Sequence, residues 1–330
     1  MKTAVLGTGS WGTALAQILC DNGEDVILYG KSPEEVNDIN LNHHNSRYFD
    51  TEINHGLHAY ADISCIRGCG CLLLAVPSIA MESVLLQALP YIDEPVIVIN
   101  VAKGFHPASH KRLSVVIKEA MPEDKLRAVV SLIGPSHAEE VIQRLLTAVN
   151  AVSDNQEAAQ LVQHMFSNNY FRVYTNDDVV GAEIGVAVKN IMAIASGILT
   201  GIGQGDNARA ALMTRGLAEM SRFGVAMGGR KETYLGLDGV GDLIVTCTSH
   251  HSRNFMAGLA IGKADSAEQF LKENTKTVEG IFACRIVYEE AHRRNISMPI
   301  TDQVYAVLYE GKNPTSAITE LMHRDLKQED

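Results

Sequence analysis

Between residue 2 and about residue 175 the chain repeats one pattern, a short β-rich apolar run followed by a longer stretch with helical spacing. The runs are "TAVLG", "DVILYG", "LHAYAD", "CLLLAVP", "PVIVINVAKG", "AVVSLIG", "TAVNAVS" and "FRVYT". Such alternation implies parallel strands joined by crossover helices on both faces of a sheet, the doubly wound α/β design. From about residue 179 the runs stop and helix-period stretches such as "GAEIGVAVKNIMAIASGILTGIG" and "NARAALMTRGLAEMSRFGVAMG" take over. The change of class predicts an α/β domain over residues 1–178 and an all-helical domain over 179–330. At 330 residues two cores are the natural expectation, and the cleft between two domains is a common ligand site.

Composition narrows the function classes. With 46% hydrophobic and 20% charged residues and no apolar run read as long enough to cross a bilayer, the chain reads as an ordinary globular protein. The start "MKTAVLGTGSWG" has no signal-peptide pattern, so a cytoplasmic location without an integral membrane segment is expected. A net charge of -11 argues against nucleic-acid partners while leaving room for a local anion site. Of six cysteines only "CIRGCGC" (Cys65, Cys69, Cys71) groups any, without C-x-x-C spacing, so no metal is expected there. The polar stretch "NLNHHNSRYFDTEINHG", with His43 and His44, reads as a surface excursion, and the tail "LKQED" as frayed.

"AVLGTGSWGTALAQIL" places Gly7, Gly9 and Gly12 in G-x-G-x-x-G spacing between a strand and a helix. The first glycine permits the tight turn, the second lets a pyrophosphate approach the backbone, and the third lets helix and strand pack closely. The phosphates would meet free N–H groups at the helix start. Following the first strand and preceding a second, the motif indicates a Rossmann-type dinucleotide site. After that second strand, "YGKSPEE" puts Lys31 and Ser32 where an NAD site wants an acidic side chain. A cation and a hydroxyl favour NADP(H), with NAD(H) possible; the plain alternative for Lys31 is a solvated loop lysine.

The second functional signal is a single charge in an apolar helix. "GVAVKNIMAIASGI" carries Lys189 among small residues that would let a backbone or a ligand approach closely. An ammonium in such packing costs several kcal/mol unless it is paired or loses its proton; the plain alternative is a buried stem whose amine reaches water. Lys103 ends an apolar strand in "INVAKGF", at the carboxyl edge where open α/β sheets bind ligands. Gly134 and Ser136 in "SLIGPSHAEEV" end another. "LGLDGVGDLIVTCTSHHSRN" supplies Asp242 in a glycine-rich turn, then Ser252, Arg253 and Asn254 before a helix, a plausible phosphate cradle. Singly, Asp242 reads equally well as a turn residue and Ser252 as a cap. His250 and His251 read as loop histidines.

The stretches "GTGSWGTALA", "AKGF", "GPSHAEE", "GVAVKNIMAIASGI", "NARAALMTRGLAEM", "GLDGVGDLIVTCTS" and "SRN" occur in one order. With them the chain closely resembles the bacterial NAD(P)-dependent sn-glycerol-3-phosphate dehydrogenases, from the first strand to about residue 280. The resemblance implies a homodimer that interconverts dihydroxyacetone phosphate and sn-glycerol 3-phosphate for phospholipid synthesis. It implies Lys189 as proton donor and acceptor, and Lys103 as shared by cofactor and substrate. Gly134, Ser136, Asp242, Ser252, Arg253 and Asn254 are then substrate contacts. Ser10, Trp11, Lys31, Ala138, Thr277, Glu279 and again Arg253 match cofactor positions. A ketopantoate-type or β-hydroxyacid reductase, and a nucleotide-sensing regulator without turnover, are the competing readings; neither calls for the phosphate cradle.

Overall fold

Eight strands form where the eight runs stand: β1 Thr3–Leu6, β2 Val26–Tyr29, β3 His58–Tyr60, β4 Cys71–Leu74, β5 Val96–Asn100, β6 Leu126–Ile133, β7 Thr147–Val152 and β8 Phe171–Asn176. The structure is a computed structural model that describes residues 1–326, 328 and 329; Lys327 and Asp330, in the tail expected to fray, lie outside the described residues. The strands make one sheet in the order β3-β2-β1-β4-β5-β6-β7-β8. The chain builds from β1 toward β3, then restarts with β4 on the other side of β1. The β1/β4 junction is therefore the switch point where such sheets open a ligand crevice at the strands' carboxyl ends.

Alternation along each strand divides the side chains between two cores. Val5, Leu28, Leu73, Ile97 and Ile99 pack on one face with α1 (Ser10–Asp21) and later α6 (Gln156–Phe166), through Leu15, Ile18, Leu19, Val162 and Phe166. Ala4, Leu6, Leu72, Leu74 and Val98 pack on the other with α3 (Met81–Ala88) and α4 (Leu113–Ala120), through Met81, Leu85, Leu113 and Ile117. Each buried Leu or Ile stabilises by roughly 1.5–3 kcal/mol relative to exposure, so the register that keeps both faces apolar is strongly selected. Two short helices complete this part, α2 (Pro33–Asn37) and α5 (Ala138–Val141).

One pairing departs from the all-parallel expectation. β6 and β7 are antiparallel, with Ser131 opposite Val152 and Leu132 opposite Ala151. The only helix between them is α5, four residues and roughly 6 Å long, against roughly 26 Å for the eight residues of β6. So short a helix does not carry the chain back to the starting edge, and β7 runs the other way.

The chain divides into two units, Met1–Glu183 and Ile184–Asp330. The division falls at 183, where the change of composition put it at 178, because the start of α7 (Val179–Gly201) belongs with the sheet. Glu183 accepts hydrogen bonds from Arg112 Nη1 at 2.9 Å, from the Ser114 amide at 2.8 Å and from Ser114 Oγ at 2.6 Å. The second unit holds the rest of α7 and α8 (Asp206–Ala226), α9 (Asp242–Thr248), α10 (Arg253–Ala264), α11 (Glu268–Glu273), α12 (Glu279–Arg293), α13 (Pro299–Tyr309) and α14 (Pro314–Met322), with no strand among its described residues.

α7 corrects one sequence reading. Its length and a mean hydropathy of 1.5 suffice to cross a membrane, although no run was read as long enough; 89% of that apolar window is buried inside the protein. Of the two partners left open for its small residues, backbone is the one that Gly197 meets. A methyl group on Gly197 would sit 2.1 Å from the Phe255 carbonyl oxygen of α10, and one on Gly258 of α10 would sit 2.0 Å from that of Ile194. Elsewhere in the unit, the buried Glu219 of α8 accepts the Ile300 and Thr301 amides at 2.6 and 3.2 Å, satisfying the start of α13. Burial pushes this carboxyl up to about 7 against the effect of those hydrogen bonds, with the charge of Asp302 adding to the rise.

Candidate active site

In the first unit the glycine turn stands at the switch point. Gly7 has φ +125, and a Cβ there would meet the Ala75 carbonyl oxygen, just past β4, at 2.4 Å. A Cβ on Gly12 would meet the Gly7 carbonyl oxygen at 2.0 Å, so only glycine lets α1 start this close to the turn. Around Gly9 the situation is reversed: nothing lies within 4 Å of where its Cβ would be, and no side chain caps α1 there. The first amides of α1, beginning at Ser10 and a half-buried Trp11, thus border open space that a side chain would fill. This shape and its donors fit the pyrophosphate of a dinucleotide.

The end of β2 differs from expectation in one detail. Lys31 is exposed on the bend after Gly30. Ser32, read as a phosphate ligand, instead caps α2: its Oγ accepts the Glu35 amide at 3.2 Å and donates to Glu34 Oε2 at 2.8 Å. At the carboxyl edge of β5 and β6, three of the expected residues meet on one oxygen. Lys103 Nζ and Ser136 Oγ each donate to the Gly134 carbonyl at 3.1 Å. Ala138 opens α5 and is buried.

In the second unit Lys189 is buried, with its side chain 3% exposed, so the amine does not reach water as the plain reading had it. Its Nζ lies 2.5 Å from Asp242 Oδ1, on a carboxylate whose own side chain is 1% exposed. It also donates to Thr246 Oγ1 at 2.9 Å. Thr246, one turn along α9, gives its own proton to the Asp242 carbonyl at 2.6 Å, which leaves a lone pair turned to the ammonium. The charge pair offsets the desolvation of both partners, which either alone would suffer in full. The neighbouring Cys247 thiol is pushed up to about 12, first by burial and then by the Asp242 charge, against the pull of Lys189.

Beside this cluster three helix segments meet. Asn254 Oδ1 accepts the Gly280 amide at 2.9 Å, and a Cβ on Gly280 would touch both Asn254 Oδ1 and the Asn190 carbonyl, at 2.8 and 2.7 Å. Asn190 is buried, and its Nδ2 has no hydrogen-bond partner among the described residues. Ser252 caps α10 by accepting the Phe255 amide at 3.2 Å, while Arg253 stands exposed at the first position of that helix. Glu279 opens α12, half-buried, and Thr277 is exposed just before it. Thr246 and Asn190 escaped the sequence reading; Asn190 follows Lys189 directly, and Thr246 lies one turn after Asp242. All six cysteines are free thiols, and Cys69 and Cys71 are buried.

Two family descriptions match the chain, the N-terminus of NAD-dependent glycerol-3-phosphate dehydrogenase over residues 2–159 and its C-terminus over residues 178–319. The chain belongs to the NAD-dependent glycerol-3-phosphate dehydrogenase family. The match runs past residue 280, where the sequence motifs ended. Glycerol-3-phosphate dehydrogenase [NAD(P)+] of Enterococcus faecalis is 46% identical over 330 residues, covering 99% of this chain and 97% of that one. The enzyme of the same name from Streptococcus pneumoniae is 46% identical over 328 residues, with the same coverage. The crystal structure of glycerol-3-phosphate dehydrogenase from Coxiella burnetii superposes with a TM-score of 0.89 at 37% identity, covering 98% of this chain and 99% of that chain. The chain is thus an NAD(P)-dependent oxidoreductase, and both of its halves match the family.

Proposed function

We propose that this chain reversibly reduces dihydroxyacetone phosphate to sn-glycerol 3-phosphate, with NADP(H) favoured over NAD(H), as a cytoplasmic homodimer feeding phospholipid synthesis. The buried Lys189–Asp242–Thr246 cluster carries the reading. A fixed ammonium is the group a carbonyl reduction needs where negative charge grows on oxygen. Lys189 polarises the carbonyl oxygen and passes it a proton; Asp242 and Thr246 hold Nζ in place by the 2.5 and 2.9 Å contacts. In the reverse direction the lysine takes the proton back. Arg253, Ser252 and Asn254, at the start of α10, receive the substrate phosphate, where helix dipole and guanidinium act in one direction. The free donor of Asn190 is available to a substrate hydroxyl.

Gly7, Gly9, Ser10, Trp11, Gly12 and Lys31 hold the cofactor, with Lys103, Ala138, Arg253, Thr277 and Glu279 completing its contacts. When bound, the nicotinamide supplies the hydride. Lys103, Gly134 and Ser136, already grouped around one carbonyl, serve the substrate side as well.

The test is to follow NADPH and NADH oxidation separately with dihydroxyacetone phosphate, and with 2-ketoacids for comparison. Turnover of the triose phosphate alone, faster with NADPH, is expected. Oxidation only with a ketoacid would overturn the substrate assignment, and a faster rate with NADH would overturn the cofactor preference. In Lys189→Met, kcat should fall by at least about 100-fold with cofactor binding retained.

A further inference from the structure

The region after β2 contains a side-chain relay that the sequence motifs do not include. Thr8, inside the glycine turn, fills the space where Gly30 would carry a Cβ, with its methyl 2.3 Å from that point. Its Oγ1 donates to Glu35 Oε2 at 2.5 Å. The other oxygen of Glu35 holds Arg47 Nη1 at 2.7 Å. Glu35 is nearly buried, its side chain 10% exposed, whereas Arg47 is 67% exposed. The loop carrying Arg47 is itself tied to the turn, because the buried Asn45 donates to the Thr8 carbonyl and to Thr13 Oγ1, both at 2.8 Å.

Both Glu35 oxygens are thus occupied, which fits poorly with the role of an acidic acceptor for ribose hydroxyls. Arg47 uses one of its five donors on Glu35, has its guanidinium 5.6 Å from the Tyr48 ring centroid and stays 67% exposed, on a loop tied to the turn after which a 2′-substituent of the adenosine ribose is read. A guanidinium oriented in this way suits bidentate capture of a phosphate.

We infer that Arg47, aimed by Glu35 from the glycine turn, is the residue that reads the 2′-phosphate of NADP(H), with the exposed Lys31 as its second cation. This rests on the proposed preference for NADP(H). Ser32 takes no part, since its hydroxyl both accepts the Glu35 amide and gives its own proton to Glu34 Oε2.

The experiment measures binding of adenosine 2′,5′-bisphosphate and of 5′-AMP to the full-length protein by calorimetry, without turnover. The wild type should bind the bisphosphate more tightly. Arg47→Ala should weaken bisphosphate binding by about 10-fold or more while 5′-AMP affinity stays within about 2-fold, and Arg47→Lys should recover part of the loss. If Arg47→Ala keeps the wild-type ratio and Lys31→Ala alone abolishes it, the role of Arg47 is refuted while the NADP(H) reading stands. If the wild type does not discriminate between the two nucleotides, both fall together.

Discussion

Removing one charge of the Lys189–Asp242 pair should cost far more than removing both. Asp242→Asn leaves an ammonium whose side chain is 3% exposed without its counter-charge at 2.5 Å. Breaking a buried pair in this way typically costs about 3–5 kcal/mol. Lys189→Met takes the ammonium away from the buried carboxylate at a comparable cost, while the double variant buries two neutral groups of similar volume. Its cost should be smaller than that of either single, and so fall short of their sum by about 3 kcal/mol or more. The assay is denaturant unfolding with two probes. Trp11, the only tryptophan, reports on the first unit, and far-UV ellipticity is weighted toward the helical second unit. The ellipticity midpoint should fall steeply in each single variant and recover in the double. Additive losses would refute the argument, because they would mean that the two groups are solvated independently.

Glu219 predicts a pH dependence of stability. Its folded-state value, about 7, lies above the ordinary carboxylate value, so the folded chain keeps a proton that the unfolded chain releases. This contribution is complete below about pH 4.5 and fades as pH rises through 7, a loss of roughly 3 kcal/mol that Glu219→Gln should remove from the pH profile of thermal unfolding. Gly9→Ala should fold normally, since φ is -63 and nothing lies within 4 Å, yet the new methyl occupies the cradle; dinucleotide affinity should fall by about 10-fold or more in a titration. Arg253→Ala should raise KM for dihydroxyacetone phosphate by about 10-fold or more with the cofactor KM less affected, and an unchanged substrate KM would remove Arg253 from the phosphate site.

What the sequence by itself determined is local. Short β-rich apolar runs placed all eight strands, helical periodicity placed the second unit, and the glycine spacing placed the tight turn between β1 and α1, because each depends on neighbours within one or two turns of chain. Lys189 stood out for the same reason, as one charge among apolar neighbours. Only the tertiary structure decided what answers that charge. Asp242 lies 2.5 Å away in space and on another helix, and no local pattern encodes the meeting. The direction of β7 hung on whether a four-residue helix spans a strand, and the small residues of α7 on which backbone comes to lie against them. Ser32 is a cap set by its own neighbours, whereas Arg47 and Thr8 meet on Glu35 through hydrogen bonds that the chain brings together only on folding. Periodicity records which face of an element is buried; the partner on that face is chosen by packing and charge compensation over long separations in sequence.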